Sequence, residues 1–241
     1  MPTLFITSSP FKEGHSELSD ANGFLKRLIP HLANPAHGLF VASNPADTMG
    51  TEQGGLEMKG ALGEAGANII AWHALHNGTA HRAAELVRQA DLIVLSGGHV
   101  PTQNAFFQRI GLKDLLQGWD GTIISISAGS MNCASMVYSL PEEPGEAVDP
   151  FYHRFFPGLG LTDISIIPHF QKLREVWLDG YHSINDLAIG DSFGHTFYCL
   201  PDGSYIYKKG TREELHGPAS IIQGGLLRIA NHPGEVLLLH E

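Results

Sequence analysis

The stretch "GTIISISAGSMNCA", residues 121–134, changes character at its middle. Its first half is a β-branched apolar run that reads as a buried strand, and its second is a small-residue run that can open a helix. A strand, a tight turn and a helix are the setting in which a G-x-S-x-G elbow presents a serine at the edge of a sheet. Here the five residues are Ser125, Ile126, Ser127, Ala128 and Gly129, so serine takes the place of the first glycine and Ser127 is central. The first position needs a small side chain beside a sharp turn, which serine supplies. The N–H of Ala128, at the start of the helix, is placed to stabilise an oxyanion. The competing reading is that Ser127 only caps that helix, a role serine favours. Ser125 is expected to point into the sheet, Ser130 to sit in the first helical turn, and Cys133 to be a small buried group.

Working outward, "TLFITS", "GLFVAS", "NIIAWHAL" and "DLIVLS" repeat the short apolar pattern of the strand before Ser127. Between them "GFLKRLIPHLA" and "TAHRAAELVRQA" space their apolar residues as helices do. Strands alternating with helices predict an α/β fold: a mostly parallel sheet with helices on both faces. The second half differs. "MVYSLPEEPGEAVDPFYHRFFPGLG", residues 136–160, is rich in Pro, Gly and acids and reads as a long irregular loop of the kind that often carries function. A strand in "DISIIPHF" and a helix through "KLREVWLDGYHSIN" are expected next. "TFYCLPDGSYIYKKG" predicts a C-terminal β-hairpin turning at Asp202 and Gly203.

At 241 residues the chain is expected to form a single domain. With 43% hydrophobic and 17% charged residues it can bury a sizeable core. Its net charge of −10 and the absence of any basic run exclude nucleic acid and anionic membrane as expected partners, because both are held by clustered Lys and Arg. No stretch reaches the roughly 18 apolar residues of a membrane span. The start, "MPTLFITSSPFKEG", reads as a first strand and not as a secretory signal. Cys133 and Cys199 form no CxxC pair, and a cytoplasmic location is expected. No P-loop, convincing GxGxxG or metal-ligand cluster is visible, so no cofactor or metal is expected. His73, His76 and His81 lie close in "WHALHNGTAH" but without a HExxH arrangement, and local hydrogen bonding explains them better than a metal. A homodimer stays open.

A nucleophilic serine needs a base, and 14 histidines make counting useless. His169 stands out by position: it follows the apolar strand in "ISIIPHF", at the edge of a sheet where ligands bind. The other expected wall is "LIVLSGGHVPTQN", residues 92–104, where Gly97 and Gly98 let backbone N–H groups approach a substrate closely. Three strand ends thus carry Gly-Gly, Ser-Ala-Gly and Pro-His-Phe.

"ADLIVLSGG", "ISAGS" and "IIPHF", in this order and at these spacings, resemble the peptidase E family of serine peptidases, which includes aspartyl dipeptidases and cyanophycinase. The match spans residues 90–170, with weaker similarity in "LPDGSYIYKKG". The resemblance implies a class I glutamine amidotransferase-like (flavodoxin-like) fold, Ser127 as nucleophile, His169 as general base, and Gly98 with Ala128 as oxyanion donors. It implies Glu142 as the third member, with Glu143 beside it, or else Asp202 or Asp191 near the last strands. The chain departs from the family after the double glycine, where His99 to Asn104 replace the usual Gly and Asn. Since that segment, His99 and Gln103 included, is expected to face the substrate, the departure bears on aspartyl specificity.

The expected chemistry is hydrolysis of small peptides, including N-terminal Asp-X dipeptides, through an acyl-enzyme on Ser127. Arg174 and Arg154 are the cations expected to meet an acidic substrate. The alternatives are a serine esterase or amidase of other specificity, and a non-catalytic amidotransferase-like binding domain with Ser127 as a helix cap.

Overall fold

The computed structural model describes residues 1–240. The first half alternates as the apolar runs predict. Strand β1 (Thr3–Thr7) leads through α1 (Phe24–Leu28) to β2 (Ala36–Val41), then α2 (Thr48–Glu64), β3 (Ile69–Leu75), α3 (Ala83–Gln89) and β4 (Leu92–Leu95). Helices α4 (Val100–Arg109) and α5 (Leu112–Leu115) follow, then β5 (Thr122–Ile126) and the short α6 (Ala128–Met131).

Five of these strands lie parallel in the order β1-β5-β4-β2-β3. Because successive strand residues point to opposite faces, each strand feeds two cores. Leu4, Ile6, Leu39, Val41, Ile93 and Leu95 pack on one face with Leu86, Phe106 and Phe107 of the helices. Phe5, Phe40, Leu92, Val94 and Ile124 pack on the other with Phe24, Leu28, Met58 and Leu62. Helices therefore cover both faces of the sheet.

The longest helix, α2, was not legible in the sequence, since it contains Gly50, Gly54, Gly55, Gly60 and Gly63, each costly in a helix interior. Tertiary packing overrides that preference. A Cβ at Gly55 would stand 3.1 Å from the Trp72 indole nitrogen and 3.4 Å from Phe40, so this glycine lets the helix lie close on the sheet. Asp47 caps its start by accepting the Gly50 N–H at 2.9 Å.

After α6 the chain leaves the main sheet. Strands β6 (Met136–Tyr138) and β7 (Phe155–Pro157) pair antiparallel, so the segment expected to be irregular is closed at its base by a ribbon, with residues 139–154 as the excursion. Strand β8 (Ser165–Ile167) follows, then α7 (Phe170–Leu173), β9 (Trp177–Leu178), β10 (Tyr181–His182), a π-helical turn at Ser183–Ala188 and α8 (Ile189–Asp191). The single helix expected through residues 172–185 is absent, because Asp179 and Gly180, at φ 52° and 88°, make a tight turn between β9 and β10 instead.

The remaining strands are β11 (Thr196–Cys199), β12 (Tyr205–Lys209), β13 (Arg212–His216), β14 (Ala219–Gln223), β15 (Leu226–Asn231) and β16 (Val236–His240). The turn at Asp202 and Gly203 exists, but it is not the tip of a hairpin: β11 joins a second, four-stranded sheet ordered β15-β14-β11-β8, while β12 joins the main sheet antiparallel to β1. The C-terminal hairpins are β12 with β13 and β14 with β15. With β13 and β16 the main sheet reaches eight strands. No helix among the described residues is long and apolar enough to cross a membrane.

This arrangement brings five strand ends to one edge. Ser8, Gly97 and Ser127 follow β1, β4 and β5 of the main sheet, and His169 and Asp202 follow the parallel neighbours β8 and β11 of the smaller one.

Candidate active site

Ser127 occupies the elbow between β5 and α6 with φ 49° and ψ −110°, a conformation that costs a non-glycine residue strain and is stored where a fold over-determines it. Its N–H donates to the carbonyls of Thr7 and Ser8, each at 3.1 Å, which fixes the turn against the end of β1. Gly129 makes the turn possible. A Cβ there would stand 2.4 Å from the Leu95 carbonyl oxygen and 2.8 Å from its carbon, so α6 rests directly on the backbone of β4. Gly129→Ala is expected to destabilise the protein by about 1–3 kcal/mol through overpacking that no side-chain rotation relieves. The check is a urea titration, in which a lower midpoint at unchanged slope is expected and an unchanged midpoint would show that the elbow yields.

The neighbouring nucleophile candidates are absorbed by structure. Ser125 is buried and hydrogen-bonded to the Phe5 carbonyl, and Ser130 Oγ donates to the Thr7 carbonyl at 2.7 Å. Cys133 is enclosed in the core, where burial pushes its thiol up to about 12.

His169 begins α7 with φ 51°, and its ring lies between the other two groups. Nε2 is 3.0 Å from Ser127 Oγ and Nδ1 is 2.6 Å from Asp202 Oδ1. A carboxylate can only accept, so Nδ1 carries the proton toward Asp202 and Nε2 is free to accept from the serine hydroxyl. Asp202 is bound from several sides. Ser8 Oγ donates to Oδ1 at 2.8 Å and Gln171 Nε2 donates to Oδ2 at 2.5 Å. Burial pushes its carboxyl up, but the His169 bond and charge, with the Ser8 and Gln171 bonds, outweigh that and hold it at about 2.

Among the carboxylates expected from the resemblance, the structure sets Asp202 and not Glu142 against the imidazole. Glu142 and Glu143 lie exposed on the excursion, and their N–H groups donate to Glu146. Neither makes a side-chain hydrogen bond among the described residues. Asp191 is held elsewhere, by a two-pronged pair with Arg154 and by the Tyr138 hydroxyl. The physical reason is strand order: β11, which delivers Asp202, is the parallel neighbour of β8, which delivers His169.

Gly98 sits where a Cβ would meet Ser43 Oγ at 2.4 Å, and neither its N–H nor that of Ala128 donates to another group among the described residues. Gly97, the residue before Gly98, lies against the serine: a Cβ there would stand 3.3 Å from Ser127 Cβ. The substrate-facing roles expected for Gln103 and His99 do not match their placement. Gln103 is fully buried, donating to the Ser96 carbonyl and accepting from Asn132. Both ring nitrogens of His99 are engaged, Nδ1 with Thr102 and Nε2 with Glu146 at 2.8 Å, so this side chain ties down the acidic excursion.

A cavity of about 840 Å³ opens beside His169, between the segment after β1 and helix α2. Its charged lining includes Lys12, His15, Glu57, Lys172 and Asp202. The expected cations are not there: Arg154 is committed to Asp191, and Arg174 is exposed and paired with Glu175. Ser8 and Gln171 were missed from sequence. The signal for Ser8 was present, because it ends a strand parallel to β5 and so had to reach the same sheet edge. Of the clustered histidines, His76 is buried and bonded to Glu52 and to the Gly78 N–H.

No family model matches this chain, and no curated protein matches it. Solved structures do. A peptidase from an acI-B1 actinobacterium superposes with a TM-score of 0.70 at 19% identity, covering 99% of this chain and 97% of that one. A "putative peptidase E protein" from Listeria monocytogenes EGD-e superposes with a TM-score of 0.58 at 16% identity, covering 96% of this chain and 100% of that one. At such identities the likeness shows the fold, and this chain has the fold of those peptidase structures.

Proposed function

We propose that this protein is a serine hydrolase of the peptidase E type that cleaves small peptides through an acyl-enzyme on Ser127. The observation that carries the reading is the imidazole of His169 suspended between Ser127 Oγ at 3.0 Å and Asp202 Oδ1 at 2.6 Å, with the serine on a strained elbow. A helix cap has no need of either partner.

His169 Nε2 takes the hydroxyl proton as Ser127 attacks an amide carbonyl, and Asp202 holds the ring in the tautomer that leaves Nε2 able to accept. The N–H groups of Gly98 and Ala128 receive the developing oxyanion. His169 then returns the proton to the leaving amine, and water repeats the sequence to release the acid. The cavity is lined by Ser96, Gly97 and Ile126 as well as His169, and its size suits a short peptide. The cations that line it are Lys12, paired with Glu17, and Lys172, 3.7 Å from Asp202 Oδ2, so an anionic substrate group would share these lysines with carboxylates already present.

The test is hydrolysis of a dipeptide panel by the intact protein, Asp-X beside Ala-X and Lys-X. Asp-X is expected to exceed Lys-X in kcat/KM by about tenfold or more, since a site built around charged partners discriminates strongly against the wrong charge. Equal rates across the panel would remove the acidic preference. Silence across it from a folded protein would remove the peptidase reading.

A further inference from the structure

We propose that Ser8 is the positioning residue that sets the nucleophile, the base and the acid in register. This rests on the serine-hydrolase reading above. Ser8 touches all three members of the site by separate bonds. Its carbonyl accepts the Ser127 N–H at 3.1 Å, its Oγ accepts the His169 N–H at 2.7 Å, and the same Oγ donates to Asp202 Oδ1 at 2.8 Å.

The direction of the hydroxyl proton is forced, because a backbone N–H can only donate and a carboxylate can only accept. Ser8 is fully buried, so water does not substitute for the hydroxyl. Its own N–H donates to the Ser204 carbonyl at 3.3 Å, which anchors it to the approach of β12 as well.

The need for such a joint follows from the architecture. Ser127 comes off the main sheet, whereas His169 and Asp202 come off the smaller one. No ladder between the two sheets fixes their mutual register at this edge, and the catalytic distances depend on it. Ser127 and His169 also both hold positive φ, at 49° and 51°, where a non-glycine backbone persists only if its surroundings over-determine it. The Ser127 N–H is shared between the Thr7 and Ser8 carbonyls, and the His169 N–H ends on Ser8 Oγ, so Ser8 takes part in pinning both. Gln171, by contrast, reaches only Asp202.

Removing the hydroxyl leaves the His169 N–H without a partner and takes one donor from Asp202. Substrate contacts are untouched, so the loss falls on kcat. Ser8→Ala is expected to lower kcat on a 4-nitrophenyl ester by about 100-fold, the size of effect that a small misplacement of reacting groups produces. KM should stay within about twofold, as for an interaction made only on the way to the transition state. Ser8→Cys keeps the volume but offers a weak donor and acceptor, and is expected to fall between the two.

The experiment combines these rates with the rate at which a fluorophosphonate labels Ser127, on proteins whose native fold is checked by circular dichroism. Labelling that is fast in the wild type, slower in Ser8→Cys and slowest in Ser8→Ala supports the proposal. Wild-type labelling and wild-type kcat in both folded variants overturn it and leave the serine-hydrolase reading standing. If Ser8→Ala does not fold, Ser8→Cys decides alone, and a wild-type rate there overturns the proposal. A wild type that is not labelled at Ser127 overturns the hydrolase reading and this proposal with it.

Discussion

Ser127→Ala is expected to lower kcat by about 10⁶-fold, the loss seen when a serine nucleophile is removed from a complete triad. The size follows from the chemistry. Without Oγ there is no acyl-enzyme, and the imidazole of His169, 3.0 Å from where the hydroxyl stood, has no proton to take. What survives is the oxyanion site and the binding cavity, worth about 10³–10⁴ over the reaction in water. KM should change little, because the cavity beside His169 is lined by other residues. The fold should survive too, since alanine bears the same backbone strain at φ 49° and loses no bond that Ser127 makes through its main chain. The measurement is kcat of the purified variant on the best dipeptide of the panel, with fluorophosphonate labelling as a second reading. Unchanged hydrolysis would reassign the reaction to another group or to a contaminant, and would return Ser127 to the role of a helix cap.

The parts of this architecture that rest on local pattern were legible. Strands β1 to β5 are short and mostly apolar; β1, β2, β4 and β5 are largely buried in the main sheet, and β3, at its edge, only at its end. The elbow at Ser127 and the strand end at His169 carry local signatures, and the structure brings the two side chains together. The parts that failed depend on contacts across the chain. Helix α2 carries glycines that its own propensity disfavours; the closeness of Phe40 and Trp72 explains Gly55, while Gly60 and Gly63 face open space and have no such explanation. The segment 196–210 has the alternation and turn residues of a hairpin. Nothing local says that one strand pairs with β8 and the other with β1, 33 residues or more away in sequence for the carboxylate and its histidine. That same split hid the acid. An acidic residue in a turn has a sufficient local explanation, so the sequence alone points to Glu142 before Asp202, and only the strand order reverses that.

The choice between those carboxylates can be made decisively. Asp202→Asn is expected to lower kcat by about 10⁴-fold, as when the acid of a serine triad is made neutral and the histidine takes the wrong tautomer. The structure gives the cause. An amide at this position has one acceptor oxygen for the donors that now reach two, since Ser8 and His169 bond Oδ1 while Gln171 bonds Oδ2. Turned so that its NH₂ faces His169, it makes Nδ1 the acceptor and moves the ring proton to Nε2, where it blocks acceptance from Ser127. The anion is lost as well. Asp202, held at about 2, is ionised across any working pH, and its stabilising contribution is present above the ordinary carboxylate range and fades only as the pH falls toward that value. Glu142→Gln, in contrast, should leave kcat within about twofold, because this side chain makes no hydrogen bond to the imidazole and acts on it only through space, from a carboxyl that crowding on the excursion pushes up to about 7. The two variants are compared under one set of conditions, with kcat and KM on the same substrate. A large loss in Glu142→Gln together with a small one in Asp202→Asn would place the acid on the excursion, and would mean that residues 139–154 move onto His169 when substrate binds. A large loss in Asp202→Asn alone means that the site is assembled as it stands, from strand ends of two sheets whose meeting fixes the distances.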